Sequence, residues 1–263
     1  MIESIEKLSM QRVTREGKAD SEDIVIREMP LTVILNNQEL VTLLCSPKDP
    51  EYLAVGFLAS EGLLKSKDEV KKTLVDDRRG VVRVDTTEES KDAGELLFKR
   101  LITSGCGRGA SLYSAADVQG QKVESLVTIA ASEIFVLAKE FQQRSQVYRE
   151  SGGVHSAALC DTKNIMVFNE DIGRHNAIDK IFGECLLKDI PTSDRIIITS
   201  GRISSEILLK VAKRNIPILI SKSAPTNLGV KLANDFGVTL IGFVRGQRMN
   251  VYSHGWRVTT DGQ

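Results

Sequence analysis

The sequence lacks an excess of charge of either sign, because 35 lysines and arginines are matched by 35 aspartates and glutamates. Proteins that bind nucleic acid through its phosphates normally carry a basic surplus, so no nucleic-acid partner is expected. The chain also lacks any apolar run near the ~18 residues of a membrane span. Its first residues are charged and contain no apolar block. We therefore expect no membrane association, no secretion signal and a cytoplasmic location.

Metal-binding patterns are equally scarce, since no Cys-x-x-Cys pair occurs. A zinc-dependent nucleobase deaminase needs such a pair and a His-x-Glu motif. Here His155 is followed by Ser156 and Ala157, so the glutamate is missing too. A zinc deaminase is the weakest function considered, and no metal site is predicted.

Only four cysteines are present, and three of them lie in patterns typical of buried side chains. Cys45 and Cys160 fall in apolar strand-like runs, and Cys185 falls in a helical pattern. In the cytosol such thiols stay reduced and behave as small apolar side chains.

The fourth cysteine, Cys106, has a different setting. Residues 103–109 read Thr-Ser-Gly-Cys-Gly-Arg-Gly. Glycines let the backbone approach another molecule closely, and the guanidinium of Arg108 favours the thiolate. A thiolate can attack a sulfane sulfur and carry it as a persulfide, as in thiol–disulfide exchange. An incidental loop cysteine is the alternative.

Three regions are predicted along the chain. Residues 1–22 are polar and charged without a clear period, which favours a mobile N-terminal arm. Residues 23–125 form a smaller α+β subdomain that carries the Cys106 loop, and residues 126–263 form an α/β domain. In the subdomain, two β-rich runs flank Asn36 and Asn37 as a hairpin, and a helix after Pro50 follows.

The last third has the clearest pattern. Strand-like runs at 195–199, 217–220 and 238–243 alternate with helical patterns at 204–214 and 225–236. This βαβαβ order predicts parallel strands buried on both faces by right-handed crossovers. Residues 248–253 are expected to return as an antiparallel edge strand.

Ligands of open α/β sheets collect at the carboxyl ends of the parallel strands. Two turns with hydroxyls and a cation fall there, at residues 199–202 and 221–226. Either turn could cradle an anion or serve only as a helix N-cap. Residues 243–248, after the last parallel strand, carry two arginines that suit a phosphate-bearing nucleotide or pterin, or that lie in a solvated turn.

Two of the three histidines fall in polar settings. His175 is followed one helical turn later by Asp179, which could orient the imidazole as an acid, a base or a ligand, or form a structural hydrogen bond. His155 begins a predicted strand.

Taken together, these residues resemble the FdhD family, the sulfurtransferase accessory proteins of formate dehydrogenase. The resemblance covers residues 24–257 and is specific because many short motifs match in order. The matching segments are residues 46–49, 56–57, 60–62, 104–107, 153–155, 170–175, 179–180, 200–202, 242–243 and 251–254.

The resemblance implies a cytidine-deaminase-like three-layer α/β fold without zinc, and a homodimer. It implies a sulfurtransferase that takes sulfur from a cysteine desulfurase as a persulfide. The sulfur goes to the molybdenum bis(molybdopterin guanine dinucleotide) cofactor needed by formate dehydrogenase, for which GDP is an analogue. The persulfide residue matches Cys106. The cofactor-binding segment matches Phe243, Val244, Arg245, Gly246, Gln247 and Arg248.

One departure from the family pattern matters. Many members carry a second cysteine at the position of Gly109. A relay between two thiols is therefore not available in this loop, and either Cys106 suffices or the protein binds cofactor without transferring sulfur. A non-catalytic chaperone that shelters the molybdenum cofactor for formate dehydrogenase is the alternative function.

Overall fold

The computed structural model describes residues 4–87, 101–102, 110–111 and 122–260. Cys106 and its glycine loop lie outside the described residues. Across the described part of the chain, no helix is both long and apolar enough to cross a membrane.

The chain begins with a long two-stranded hairpin. Strands β1 (Ile5–Thr14) and β2 (Gly17–Ile26) pair antiparallel over their full length. No strand was predicted over residues 1–22, where the sequence predicts a mobile arm; the mobility of this arm stays a prediction. Most residues of both strands are exposed, so the hairpin has no buried face to impose an apolar alternation on the sequence.

A four-stranded sheet follows, in the order β4-β3-β6-β5. The strands are β3 (Met29–Leu35), β4 (Gln38–Cys45), β5 (Val70–Asp76) and β6 (Val81–Thr86). The predicted hairpin is confirmed, because Asn36 and Asn37 connect β3 to β4 with φ values of 47° and 65°. Asparagine tolerates this left-handed conformation, which a tight two-residue hairpin turn requires.

Helix α1 (Pro50–Ser60) covers this sheet. It ends at Ser60, and Gly62 two residues on has a φ of 82°, which suits glycine. The helix is buried from Leu53 to Ser60 on every side. One side contacts the sheet, and the other contacts a helix from the second half of the chain.

The second half is built on a six-stranded sheet in the order β11-β10-β12-β13-β14-β15. The strands are β10 (His155–Cys160), β11 (Ile165–Asp171), β12 (Ile196–Thr199), β13 (Ile218–Ser221), β14 (Thr239–Arg245) and β15 (Arg248–Val251). Strands β12, β13 and β14 are parallel, and β15 is an antiparallel edge, as predicted. The α/β fold class is therefore confirmed.

Helices cover both faces of this sheet and give three layers. Helix α2 (Ala131–Arg144) packs on one face, where Ile198, Ile220 and Ile241 point towards Phe141. The other face holds α4 (Arg174–Leu187), α5 (Ser205–Lys213) and α6 (Asn227–Phe236). Short elements complete the described chain: α3 (Gln146–Ser151), β7 (Leu101–Ile102), β8 (Ala110–Ser111), β9 (Ile129–Ala130), β16 (Val258–Thr259), and 3₁₀ turns at Lys67–Glu69 and Gly255–Arg257.

The amphipathic pattern of residues 131–148 predicts a single helix, but the structure interrupts it at Ser145. Its ψ of 68° breaks the helix between α2 and α3. The Ser145 hydroxyl lies 3.0 Å from the Phe141 carbonyl and 3.0 Å from the Ser156 hydroxyl. The hydroxyl thus satisfies a carbonyl at the helix end and ties the break to the sheet.

The end of the chain returns to the start of the second half. Strand β16 pairs parallel with β9, and the guanidinium of Arg257 is buried. Its Nε and Nη2 donate to the Ser125 carbonyl at 3.1 and 2.9 Å, and Nη1 donates to the Gly237 carbonyl at 2.8 Å. The division predicted between residues 125 and 126 stays a prediction.

The two halves meet where α1 packs on α4. A methyl group on Gly56 would strike the Asp179 carbonyl, and one on Gly183 would strike the Tyr52 carbonyl, so only glycine permits this close approach. Next to the contact, buried Asp179 accepts from Lys210 at 2.7 and 2.8 Å and from the Ser60 hydroxyl at 2.6 Å.

We expect Asp179→Ala to destabilise the protein by about 3–5 kcal/mol, because it leaves the Lys210 ammonium in the interior without this carboxylate. The free energy of unfolding in urea measures the effect. Lys67→Ala is the matched control, since the Lys67–Asp189 pair is equally short at 2.7 Å but exposed. It should cost under about 1 kcal/mol. Similar losses for both variants would show that burial of the Asp179–Lys210 pair does not raise the cost of breaking it.

Candidate functional site at the carboxyl edge of the central sheet

The three polar segments singled out in the sequence meet at one edge of the six-stranded sheet. The Lys222 N–H donates to the Thr199 carbonyl at 3.2 Å, and the Phe243 N–H donates to the Ser223 carbonyl at 3.2 Å. The Ser221 hydroxyl donates to the Gly201 carbonyl at 2.7 Å. The turns after β12, β13 and β14 are thus neighbours, at the place where α/β sheets bind ligands.

The segment Phe243–Arg248 forms the tip of the β14–β15 hairpin. Phe243 has a φ of 55°, which is unusual for an aromatic residue, and Gly246 has a φ of 58°. The strand register shifts between Gly242 and Arg245, and Arg245 lies opposite Arg248 across the hairpin. Irregular strand ends of this kind re-aim side chains and occur often at functional sites.

A cavity of about 470 Å³ lies between this hairpin and helix α2. Its size falls in the range of small-molecule and cofactor sites. None of the described residues that line it is acidic, and three are basic. The lining residues are Phe135, Val136, Ala138, Lys139, Gln142, Lys222, Val244, Arg245, Gly246 and Gln247.

Lys222 is the most informative cation of this cavity. Burial lowers its pKa, and the nearby Arg245 guanidinium lowers it further. Its ammonium donates to the Gln142 amide oxygen at 2.9 Å. Two cations held near each other in a partly enclosed, apolar space favour a bound anion, which would relieve their repulsion.

The α2 residues of the cavity were missed in the sequence. Lys139 and Gln142 follow no motif, and polar side chains on an amphipathic helix ordinarily face solvent. Only the packing of α2 over the carboxyl edge reveals that they face the hairpin.

The structure also decides between capping and anion binding for several hydroxyls. Thr226 caps α6 by accepting from the Gly229 N–H at 3.1 Å, and Ser204 caps α5. The Ser221 hydroxyl is held by the Gly201 carbonyl and the Ser223 N–H. In the 221–226 turn, Lys222 is therefore the residue that faces the cavity.

His155 and His175 lie on the other face of the same edge, in a group that we call the histidine cluster: His155, Arg174, His175, Ser200 and Arg202. His155 Nδ1 lies 3.2 Å from the Ser200 hydroxyl oxygen. Burial lowers the pKa of His155, and the positive charges of Arg174, His175 and Arg202 lower it further, while Asp171 opposes them.

The suggested pairing of His175 with Asp179 is wrong. Asp179 is bound to Lys210 and Ser60, as described above. The Nε2 of His175 instead lies 3.0 Å from a carboxylate oxygen of Glu206, in the first turn of α5. Within the described ranges, no group of three or more His, Cys, Asp or Glu side chains gathers in a way that could hold a metal ion.

Three of the four thiols are inaccessible. Cys45, Cys160 and Cys185 are all buried. Burial raises the pKa of Cys45 and Cys185 to about 12 each, and it raises that of Cys160 still further above its ordinary range. None of these side chains is a thiolate at neutral pH, as the sequence predicts for small buried side chains.

The fold and site define an α/β protein with a basic cavity at the carboxyl edge of its parallel strands. The chain belongs to the FdhD/NarQ family, whose sequence model matches residues 26–259.

Named relatives are similar over nearly the whole chain. The sulfur carrier protein FdhD of Bacillus pumilus is 44% identical over 97% of this chain and 98% of its own length. The sulfur carrier protein FdhD of Bacillus subtilis is 45% identical over 90% of this chain and 91% of its own length. The solved structure of a protein from Desulfotalea psychrophila, described as a formate dehydrogenase accessory protein, aligns with a TM-score of 0.82 at 25% identity. That alignment covers 98% of this chain and all of the other.

We expect Lys222 to titrate below the ordinary pKa of a lysine, and Arg245→Gln to raise its midpoint because a neighbouring positive charge is removed. NMR of ¹³C-dimethylated lysines measures the midpoint, and Lys222→Arg assigns the signal. Arg248→Gln is the matched control from the same hairpin and should leave the midpoint unchanged. An unmoved midpoint in Arg245→Gln would show that the two cations do not share the cavity.

Proposed function

We propose that this protein is a sulfur carrier that takes a sulfur atom from a cysteine desulfurase onto Cys106. It then delivers the sulfur to the molybdenum bis(molybdopterin guanine dinucleotide) cofactor that formate dehydrogenase needs. The observation that carries the proposal is the near full-length similarity to proteins named sulfur carrier protein FdhD.

The properties of the thiols support Cys106 as the carrier. The other three are buried, and their pKa values lie far above neutral. A carrier must expose a nucleophilic sulfur to two large partners in turn, so these three cannot serve. Cys106 is the remaining thiol, in a glycine-framed segment with Arg108 two residues on.

The loading step balances without an added oxidant. The Cys106 thiolate attacks the outer sulfur of a persulfide on the desulfurase. A new S–S bond forms at Cys106 as the S–S bond on the desulfurase breaks, and the desulfurase cysteine leaves as a thiolate. Release of the sulfur as sulfide to molybdenum consumes two electrons, which a thiol reductant supplies.

The basic cavity at the carboxyl edge supports the choice of client. Its volume suits a nucleotide end of the cofactor, and Lys222 and Arg245 suit the phosphates. The six residues from Phe243 to Arg248 would hold that end, together with Gln142 on α2. We further propose that the protein acts as a homodimer, so that two cavities face the two nucleotide ends of one cofactor.

Incubation with a cysteine desulfurase and cysteine should add the mass of one sulfur atom to Cys106. Intact mass spectrometry followed by peptide mapping measures the addition. Cys185→Ala is the matched control and should load normally, because that thiol is buried and protonated. Loading of Cys106→Ser to the wild-type extent would contradict the proposed role of this residue.

The same variant separates the carrier from a non-catalytic cofactor chaperone. A chaperone that only shelters the cofactor would still activate formate dehydrogenase with Cys106→Ser. A carrier would not, although Cys106→Ser should still bind the cofactor through the basic cavity.

We expect GDP to bind in the cavity, and Lys222→Met and Arg245→Gln each to weaken it about tenfold, since each removes a charge-assisted contact worth about 1.4 kcal/mol or more. Isothermal titration calorimetry measures the affinity. The affinity should also fall as the pH rises through the lowered pKa of Lys222 and its charge is lost. Lys71→Met, on β5 of the other sheet, is the control. Equal weakening by all three variants would place the nucleotide elsewhere.

A further inference from the structure

The β1–β2 hairpin has one strand edge that no other described strand covers. Strand β2 contacts helix α3, and within the described residues β1 pairs with β2 alone. The outer edge of β1 runs for ten residues without a proline or a bulge. Natural proteins usually shorten, bend or cover such an edge, because its N–H and C=O groups are a template for another strand. The outer edge of β1 is therefore a candidate interaction surface.

The hairpin has little of its own to stabilise it. Most residues of both strands are exposed, and the apolar side chains of Leu8 and Val13 are 47% and 64% exposed. A two-stranded hairpin alone is marginally stable in water, whereas three or more strands with an apolar face are stable. Further strands at the β1 edge would stabilise the hairpin.

The hairpin register decides which residues of β1 offer their backbone to a partner. Thr14 and Gly17 are the last pair before a two-residue turn, and the pair that closes such a turn is hydrogen-bonded. Because bonded and non-bonded pairs alternate along antiparallel strands, the even-numbered residues of β1 bond to β2. The odd-numbered residues, with Ser9 in the middle, direct their N–H and C=O groups to the outer edge.

The sequence of β1 is complementary to itself in an antiparallel arrangement centred on Ser9. When Ser9 lies opposite Ser9 of a second copy, Glu6 lies opposite Arg12. Leu8 then lies opposite Met10. The other opposite pairs bring no like charges together: Lys7 with Gln11, and Ile5 with Val13.

Neighbouring registers lose this match. An arrangement centred on Met10 sets Leu8 opposite Arg12, and one centred on Leu8 sets Glu6 opposite Met10. In the register centred on Ser9, the even-numbered pairs are the non-hydrogen-bonded ones, where opposite side chains approach most closely. The attraction between Glu6 and Arg12 and the apolar contact of Leu8 with Met10 therefore fall at the positions where they count most.

The partner that Glu6 has within its own chain is compatible with this arrangement. Its carboxylate lies 3.2 Å from Nε of Arg27, and both side chains are partly exposed. An exposed ion pair contributes little stability, and a carboxylate can accept hydrogen bonds from two guanidinium groups.

We propose that β1 pairs antiparallel with β1 of a second copy of this chain, about a two-fold axis through Ser9. The two hairpins form one continuous four-stranded sheet. The partner is a second copy because the edge matches its own sequence in charge and in apolar contacts, as a self-complementary two-fold interface requires. The inference rests on the homodimer of the proposed function and names the surface that forms it.

Charge reversal tests the register. We expect the full-length protein to sediment as a dimer, and Glu6→Arg and Arg12→Glu each to weaken the dimer about tenfold, because each brings two like-charged pairs together. An equimolar mixture of the two variants should restore the dimer, because facing charges are then opposite in sign. Restoration also shows that both variants are folded. Analytical ultracentrifugation measures the dissociation constants, and Lys18→Glu, an exposed change on β2, is the control that should leave them unchanged.

A cysteine at the centre of the strand locates the axis. Oxidation of Ser9→Cys should link two copies through this position, because the Cα atoms of a hydrogen-bonded pair lie about 5.5 Å apart, within the range of a disulfide. Gln11→Cys is the matched control and should not link to itself, since it faces Lys7 of the second copy. Peptide mapping distinguishes this link from any formed by the native cysteines.

Two results would overturn the inference: a monomeric wild-type protein, and a dimer that neither charge reversal weakens. In the first case the homodimer fails too, and in the second the homodimer stands with its interface elsewhere on the chain. Sulfur loading of Cys106 on the same samples tests the carrier separately. If Cys106 does not load while the variants behave as expected, the carrier fails and the inference stands.

Discussion

The packing of α1 on α4 is the contact on which the rest of the structure depends. Gly56 and Gly183 bring the two backbones together, and no other residue type fits at either position. The buried charges beside this contact are hydrogen-bonded to residues of both halves of the chain. Asp171, at the end of β11, binds Lys180 and accepts from the Ser46 N–H and hydroxyl of the first half at 3.1 and 3.0 Å. The start of α4, and with it the histidine cluster, is fixed by this shared interior.

Buried ion pairs contribute little net stability compared with apolar packing, but they are costly to break and intolerant of misalignment. In this protein the buried ion pairs hold α4 at one position relative to the first half of the chain. Asn176, in the first turns of α4, donates to both the Leu44 carbonyl and Asp171 at 2.8 Å. A helix held in this way cannot slide along its axis without leaving buried polar groups without hydrogen bonds. The residues at the carboxyl edge of the six-stranded sheet are therefore held by a rigid interior that both halves of the chain build.

Much of the architecture was predictable because its elements carry a buried face. The parallel strands, the Asn36–Asn37 turn and the caps of α1 and α6 follow from apolar runs and from residues with special backbone preferences. The β1–β2 hairpin did not show in the sequence, because a ribbon exposed on both sides places no constraint on hydrophobic pattern. The break at Ser145 was also missed, since a serine within a helical pattern gives no signal until its tertiary partner is known.

The candidate site was likewise predictable from the sequence only in part. Segments that follow parallel strands were predictable, because topology alone brings Gly201, Lys222 and Phe243 to one edge. The identity of contacting pairs was not, as Glu206 rather than Asp179 meets His175, and α2 supplies Gln142. Such pairs depend on the orientation of each helix about its own axis as it packs on the sheet. The hydrophobic periodicity of the sequence does not specify that orientation closely enough to identify contacting pairs.

The tie between the two ends of the second half has a consequence for folding. Because Arg257 holds the Ser125 carbonyl and β16 pairs with β9, this part of the chain is closed by contacts between distant positions, 132 residues apart for Ser125 and Arg257. Closing so long a loop costs chain entropy, so these contacts form after the local helices and hairpins.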